Sequence, residues 1–291
     1  MIFVGLRDGE ESRLVWSDDE GATWEDALSG MAVVDIVAVD DIVYVSGDNG
    51  LWRATTDDLT NWSQLDLTDA QTDLEHKGSE VFGLYTIGDT LFAGTQRGIC
   101  RSRNYGDNFN VDTDPCDYHT SWPVLYDGSG GGINISKDGG KTWENDGFDT
   151  LNGLTGEWVV GIEVQYLEDE SIVWAVTKRA LDSAEENGFS YSTDDGTTWE
   201  WTAIDAYGWN FAFGDSRVFA ATSGGLLRAE YPELVWDTLE IVDEMTGIRL
   251  TDPEIVGVQY AEGRLFAGTN QGLAYSDDKG ITWTINATYH E

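Results

Sequence analysis

Ser, Asp, Gly and an aromatic stand at fixed offsets in SKDGGKTW (136–143). Near copies are SDDEGATW (17–24), SRNYGDNF (102–109), STDDGTTW (192–199) and SDDKGITW (276–283). A hydroxyl two residues from a carboxylate is material for nucleophilic or acid–base chemistry. Repetition argues against that use, because chemistry is normally needed once, whereas a hairpin staple is needed in every repeat. Each residue type also has a mechanical role. Ser and Asp oxygens accept backbone N–H bonds within a tight turn, Gly supplies φ > 0, and Trp offers a large apolar body for packing between sheets. Turns fastened in this way fix register in otherwise repetitive strands.

The elements that carry the octets follow from their spacing. The closing aromatics are Trp24, Phe109, Trp143, Trp199 and Trp283, and two degenerate copies, TTDDLTNW (55–62) and AEYPELVW (229–236), add Trp62 and Trp236. These seven anchors lie 34 to 56 residues apart, a period that matches one four-stranded propeller blade. The text before the last octet reads as strands at 255–260, 265–268, 273–276 and 282–286, labelled A to D, with a turn at 269–272. The same order recurs at 81–102 and 210–229. The chain opens in a B-like strand, Ile2–Gly5, so the first blade has no A strand of its own. The A strand of the fourth unit falls in 116–122. No amphipathic helix stands out, and 180–187 accommodates one helical turn. The expectation is one all-β domain over 1–291, a seven-bladed propeller, with six blades as the alternative count.

S-x-D-x-G-x-T-W at blade spacing resembles the Asp-box, or BNR, repeat, and the resemblance covers essentially the whole chain. Families that carry it include sialidases, xyloglucan-degrading endoglucanases, sortilin-type receptors and photosystem II assembly factors. The resemblance implies that the octets sit at C–D turns and are structural: Ser17, Asp19, Gly21 and Trp24; Ser136, Asp138, Gly140 and Trp143; Ser192, Asp194, Gly196 and Trp199; Ser276, Asp278, Gly280 and Trp283. It also implies that ligands bind at the other end of the strands, on the B–C and D–A loops.

Those loops hold aromatics (Tyr118, Trp122, Trp158, Tyr207, Trp209) and several of the scarce basic groups (Arg7, Lys77, Arg97, Lys178, Arg179, Arg249), with His76 and His119. Aromatic faces stack on sugars or apolar ligands, and cations gathered on one face receive a carboxylate. The competing reading is that each Trp fills a gap between blades and each cation neutralises a neighbouring acid. The ligand-binding candidates are Arg97, His119, Trp122, Trp158, Arg179 and Trp209.

Composition excludes some functions. Asp and Glu number 54 against 16 Lys and Arg, giving a net charge of −38. Nucleic acid and anionic membranes want a basic face. Acids spread along the whole chain resemble the surfaces of proteins from salt-loving organisms. No apolar run is long enough to span a bilayer. MIFVGLRDG shows no secretory leader, so the cytoplasm of a salt-adapted organism is expected, with secretion after leader removal as the alternative. Cys100 and Cys116, the two cysteines, fit either one disulfide or two free thiols.

Enzymatic signatures are thin. A sialidase needs three arginines, a Tyr–Glu pair and an Asp. The Arg-Ile-Pro-type motif that such a family implies has no match here. Asp114, Glu157 and Asp205 are hydrolase candidates by loop position alone. DTDPCD (112–117) brings Asp112, Asp114 and Asp117 together but lacks the Gly and terminal Glu of a calcium loop. No cofactor and no metal are expected. The leading expectation is a monomeric, non-catalytic recognition or assembly scaffold with a protein or carbohydrate partner. The alternatives are a glycoside hydrolase and a lectin-like module.

Overall fold

Runs such as IVYVSG, SIVWAVTK and RVFAAT show no polar alternation, so strands made of them need apolar partners on both faces. The computed structural model describes residues 1–8, 11–19, 21–67, 81–87, 90–95, 98–102, 104–107, 109, 125–129, 132–136, 144–146, 153–156, 158–179, 186–203, 207–251 and 253–286. Among them every regular element is a strand, and consecutive strands of a sheet pair antiparallel. The chain divides into two units, Met1–Thr120 and Ser121–Glu291.

The first unit holds three sheets. β1 (Ile2–Asp8), β2 (Glu11–Ser17) and β3 (Glu25–Ser29) form one. β4 (Val33–Val39), β5 (Ile42–Gly47), β6 (Gly50–Thr55) and β7 (Asp58–Gln64) form the second. β8 (Val81–Ile87), β9 (Thr90–Thr95) and β10 (Gly98–Ser102) form the third.

The second unit holds four. β11 (Leu125–Ser129), β12 (Gly132–Ser136) and β13 (Glu144–Asp146) make the first of these. β14 (Trp158–Tyr166), β15 (Ser171–Lys178), β16 (Gly188–Ser192) and β17 (Glu200–Ala203) make the next. β18 (Gly208–Gly214), β19 (Arg217–Thr222), β20 (Gly225–Glu230) and β21 (Asp237–Leu239) follow. β22 (Ile255–Ala261), β23 (Arg264–Thr269), β24 (Gly272–Ser276) and β25 (Thr284–Asn286) complete the set. The 255–286 segment thus folds in the A–B–C–D order read from its sequence. The first sheet has three strands, as an opening B strand requires. Residues 116–122 and 180–185 lie outside the described residues.

Each sheet is a sequential meander, so alternate connections fall at opposite ends. A–B and C–D turns share one end, and B–C loops share the other with the links to the next A strand.

Packing follows from the two-residue period of a strand. On β5, Val43 and Val45 enter a core with Leu14 of the first sheet and Met31 of the link that follows it, while Tyr44 enters one with Leu65, Leu91 and Phe109 on the other side. On β15, Val173 and Ala175 face Ile133 and Ile135, and Trp174 and Val176 face Phe211 and Val218. On β19, Val218 and Ala220 take one side, and Phe219 and Ala221 the side of Leu265 and Trp283. Consecutive sheets within each unit therefore pack face to face, and β5, β15 and β19 are buried on both faces, whereas β23 buries only the face of Leu265 and Ala267. Each large apolar side chain so buried contributes about 1.5–3 kcal/mol of transfer free energy.

Candidate functional site

The octets come first, because they hold the residues whose types could do chemistry. In 276–283, the Ser276 hydroxyl donates to Asp278 Oδ1 at 2.7 Å and accepts from Gly280 N at 2.7 Å. Asp278 accepts from Thr282 N and Ile281 N through Oδ1, and from the Thr282 hydroxyl through Oδ2. Ser17–Asp19–Gly21–Thr23 and Ser192–Asp194–Gly196–Thr198 make the corresponding bonds. In 102–109 the Asp position is Asn104, and Ser102 still bonds both Asn104 Oδ1 and Gly106 N. Ser17, Ser102, Ser192 and Ser276 are all 2% exposed or less. A hydroxyl locked between a carboxylate and a backbone N–H, and sealed from solvent, is unsuited to attack a substrate.

The glycine is required by conformation and by space. Gly21, Gly106, Gly196 and Gly280 have φ between 80° and 88°, where a Cβ is penalised. At Gly280 a Cβ would also stand 2.8 Å from Leu239. The aromatics Phe109, Trp199 and Trp283 are buried in cores shared with the preceding sheet. Trp24 is half-buried and donates from Nε1 to Gly21 O at 3.0 Å.

Hydrogen bonds tune the octet carboxylates. Asp19 is held down to about 2, first by the Thr23 hydroxyl, then by Thr23 N and Ser17. At Asp278 burial pushes upward and is the largest single influence. The bonds from Thr282, Ser276 and Ile281 together outweigh it and bring the group to about 2. These groups are ionised acceptors at neutral pH, with their lone pairs already engaged.

TTDDLTNW behaves differently. Thr55 pairs with Asp58, which leaves a two-residue hairpin turn, and it is Asp58, not Asp57, that accepts from Thr60. Without the glycine the longer octet turn is lost. Ser136 closes β12, and Asp138, Gly140 and Trp143 lie outside the described residues.

At the opposite end, β14 and β18 begin side by side. The carbonyl of Trp209 lies so close to Gly161 that a Cβ there would meet it at 2.6 Å. Lys178 ends β15, and its Nζ stands 3.6 Å from the centroid of the Trp209 ring and 5.8 Å from that of Tyr207. Tyr207 is 49% exposed and held by reciprocal bonds with Ser223. Trp209 Nε1 is buried without a hydrogen-bond partner among the described residues. Beneath Lys178, Thr155 and Thr177 bond through their hydroxyls, Glu186 N donates to Thr155 O, and Asn187 accepts from Arg179 N. Burial lowers the Lys178 pKa.

Of the six ligand-binding candidates, Arg97, His119 and Trp122 lie outside the described residues. Trp158 opens β14, its side chain outside what is described. Arg179 is exposed next to Lys178, and Trp209 carries the Lys178 ammonium. Among the other loop cations, Arg249 pairs with Glu240. Asp114, Glu157, Asp205 and Cys116 lie outside the described residues, and so does the side chain of Cys100. Among the described residues no cluster of three His, Cys, Asp or Glu gathers as a metal site.

Two features escaped the sequence reading. A register shift stands near the start of every A, or inner, strand among the described residues: at Val34 in β4, Phe82 in β8, Val160 in β14, Trp209–Asn210 in β18 and Val256 in β22. The signal was present, because an apolar residue precedes a Gly, Asp or Asn in VVDI, VFGL, VVGI, GWNF and IVGV. Two of the small polar residues reach the next inner strand. Asp35 Oδ2 accepts from Leu84 N at 2.7 Å, and Asn210 bonds Val258 N and O at 3.0 and 2.9 Å. The other feature is Asp243, in a loop read as ligand-facing. It accepts from Thr246 and from Ile285 N, and so fastens β25.

No protein-family model and no curated protein sequence matches the chain. Solved structures match it in shape. One is the extracellular domain of BT4673 from B. thetaiotaomicron, described as a one component system, at TM-score 0.63 and 15% identity; the match covers 88% of this chain and 33% of that longer one. YCF48 from Cyanidioschyzon merolae matches at TM-score 0.58 and 16% identity, over 89% of this chain and 86% of that one. An ancestral GH74 enzyme matches at TM-score 0.56 and 15% identity, over 88% and 38%. At such identities the likeness is one of fold, and the fold is that of a β-propeller.

Proposed function

We propose that the chain is a non-catalytic recognition or assembly scaffold, an Asp-box propeller resembling the photosystem II assembly-factor branch of these repeats. On this reading the seven sheets are blades of one monomeric domain. A protein or carbohydrate partner binds at the end opposite the octets, in the cytoplasm of a salt-adapted organism. The observation that carries the reading is a division between the two ends of the strands. Octet hydroxyls and carboxylates are engaged in holding their own turns, whereas a cation without a carboxylate partner among the described residues, Lys178, meets exposed and half-buried aromatics at the other end. Aromatic surface beside a lone charge is recognition chemistry.

The second reading, a glycoside hydrolase, draws on the fold shared with a GH74 enzyme. Turnover of a panel of fluorogenic glycosides, in low and molar potassium chloride, separates the two. The scaffold reading expects none above the uncatalysed rate. Turnover abolished by a single loop-carboxylate substitution would overturn it.

A further inference from the structure

In a chain of net charge −38, Lys178 is a cation set against aromatic rings. Arg13, Arg53, Arg249, Arg264 and Lys279 each have a carboxylate within ion-pairing distance. Lys178 has none among the described residues, and its ammonium lies against an indole face instead. The ring quadrupole attracts the charge but gives its three N–H donors no oxygen to bond. Burial lowers the pKa of the group, the expected response of a cation withdrawn from water without a counter-charge.

Apolar side chains share this end of the strands with the polar Thr155, Glu186 and Asn187 near Lys178. The inner-strand bulges of the second unit put Val160, Trp209 and Val256 near the starts of β14, β18 and β22, with Val256 57% exposed. Bulges re-aim side chains out of the regular ladder. Tyr207 adds a half-exposed ring 5.8 Å from Lys178 Nζ.

We propose that this end of the second unit binds a small organic monocarboxylate with a flat or apolar body, its carboxylate on Lys178 Nζ and its body against Tyr207 and the edge of Trp209. The proposal rests on the recognition reading above and adds a small-molecule ligand at the same end of the strands. One ammonium matches one carboxylate, whereas a phosphate dianion calls for several donors. Among anions, a monoanion meets less repulsion from a field of −38 than an acidic macromolecule does. A cationic ligand is repelled by Lys178 itself.

The test is calorimetric titration of the intact chain in molar potassium chloride with phenylacetate, and with phenylacetamide as its uncharged counterpart. Wild type, Lys178→Met, Lys178→Arg and Tyr207→Ala are compared, each checked for a wild-type unfolding midpoint. Phenylacetate is expected to bind the wild type, with phenylacetamide and Lys178→Met at least about tenfold weaker. That factor corresponds to losing one charge-assisted hydrogen bond. Lys178→Arg is expected to retain most of the affinity, and Tyr207→Ala to lose part of it. Equal binding of acid and amide, unchanged binding to a folded Lys178→Met, or no saturable binding by the wild type would each overturn the ligand class. The last result, with glycoside turnover also absent, leaves the scaffold reading standing. Glycoside turnover sinks that reading whatever phenylacetate does.

Discussion

The Tyr105 phenol donates to Asp40 Oδ2 at 3.0 Å, and Lys279 makes the corresponding ion pair with Asp215. Tyr105 and Lys279 are both fourth residues of an octet. Asp40 and Asp215 both sit at positive φ, 54° and 60°, in the first hairpin turn of the preceding sheet. These two octets therefore close their own turns through Ser, Asp or Asn, and Gly, and fasten to the preceding sheet through the residue before the Gly. Asp215→Asn keeps a residue type tolerant of positive φ and removes the charge. It is expected to lower the unfolding midpoint slightly at low salt and not at molar salt, where screening already weakens an exposed pair. Thermal melts at the two salt concentrations check this.

The octet carboxylates make acid stability predictable. Asp19 and Asp278 titrate near 2 in the folded chain against 3.8 for the unperturbed group. A depressed carboxylate contributes stability that is present above the unfolded value and lost as pH falls through the folded one. Unfolding midpoints are expected to drop between pH 4 and pH 2. Asp278→Asn, which imitates the natural Asn104, narrows that drop because it forgoes the carboxylate's contribution at neutral pH. Asp278→Ala leaves Thr282 N and Ile281 N without their acceptor and costs about 1–2 kcal/mol, discounted for partial exposure. Denaturant titrations across the pH range measure both.

Asp35 works in the opposite sense. Burial raises its pKa against the bonds from Leu84 N and Ile36 N. A raised carboxylate gives the greatest stability below the unfolded value and loses it as pH climbs to the folded value. Asn210 occupies the equivalent place and both accepts from and donates to Val258. Asp35→Asn keeps one oxygen where Ile36 N and Leu84 N each have their own, so it is expected to cost about 1 kcal/mol at pH 7 through the unpaired N–H and to remove this pH dependence. Urea midpoints equal to wild type at pH 7 would count against that cost.

Three glycines at one strand position should differ sharply. A Cβ at Gly161 meets the Trp209 carbonyl at 2.6 Å, whereas at Gly83 and Gly257 it meets nothing within 4 Å. Gly161→Ala is expected to cost about 1–3 kcal/mol and to weaken phenylacetate binding by displacing Trp209. Gly257→Ala is expected to be neutral, or slightly stabilising through the unfolded chain. Paired denaturation curves decide.

Net charge gives the broadest prediction. At −38 self-repulsion opposes the folded chain, and salt screens it. The unfolding midpoint should rise steeply from low to molar potassium chloride, and a flat profile would remove the salt-adaptation reading.

Much of the fold was legible because its signals are local. The bonds Ser276–Asp278, Gly280–Ser276 and Thr282–Asp278 span two to four residues. Spacing alone therefore located the turns and, between them, the strand order of 255–286. TTDDLTNW shows the limit: its Trp62 kept the period, but loss of the glycine replaced the octet turn with a two-residue hairpin. Inner-strand bulges were written in the sequence as an apolar residue before Gly, Asp or Asn, a pattern easily passed over as ordinary strand text.

By itself, then, the sequence determined the all-β class, the period, the octet turns and the charge. Each depends on composition or on residues within one turn of each other. Only the tertiary structure decided which of the scarce cations lies against which aromatic. Lys178 and Trp209 stand in different sheets, as do Asp35 and Leu84, and such pairs meet only when face-to-face packing brings the two sheets together. Strand text fixes the face a side chain takes. Its neighbour across that face depends on which sheet packs there, and on where a bulge shifts the register.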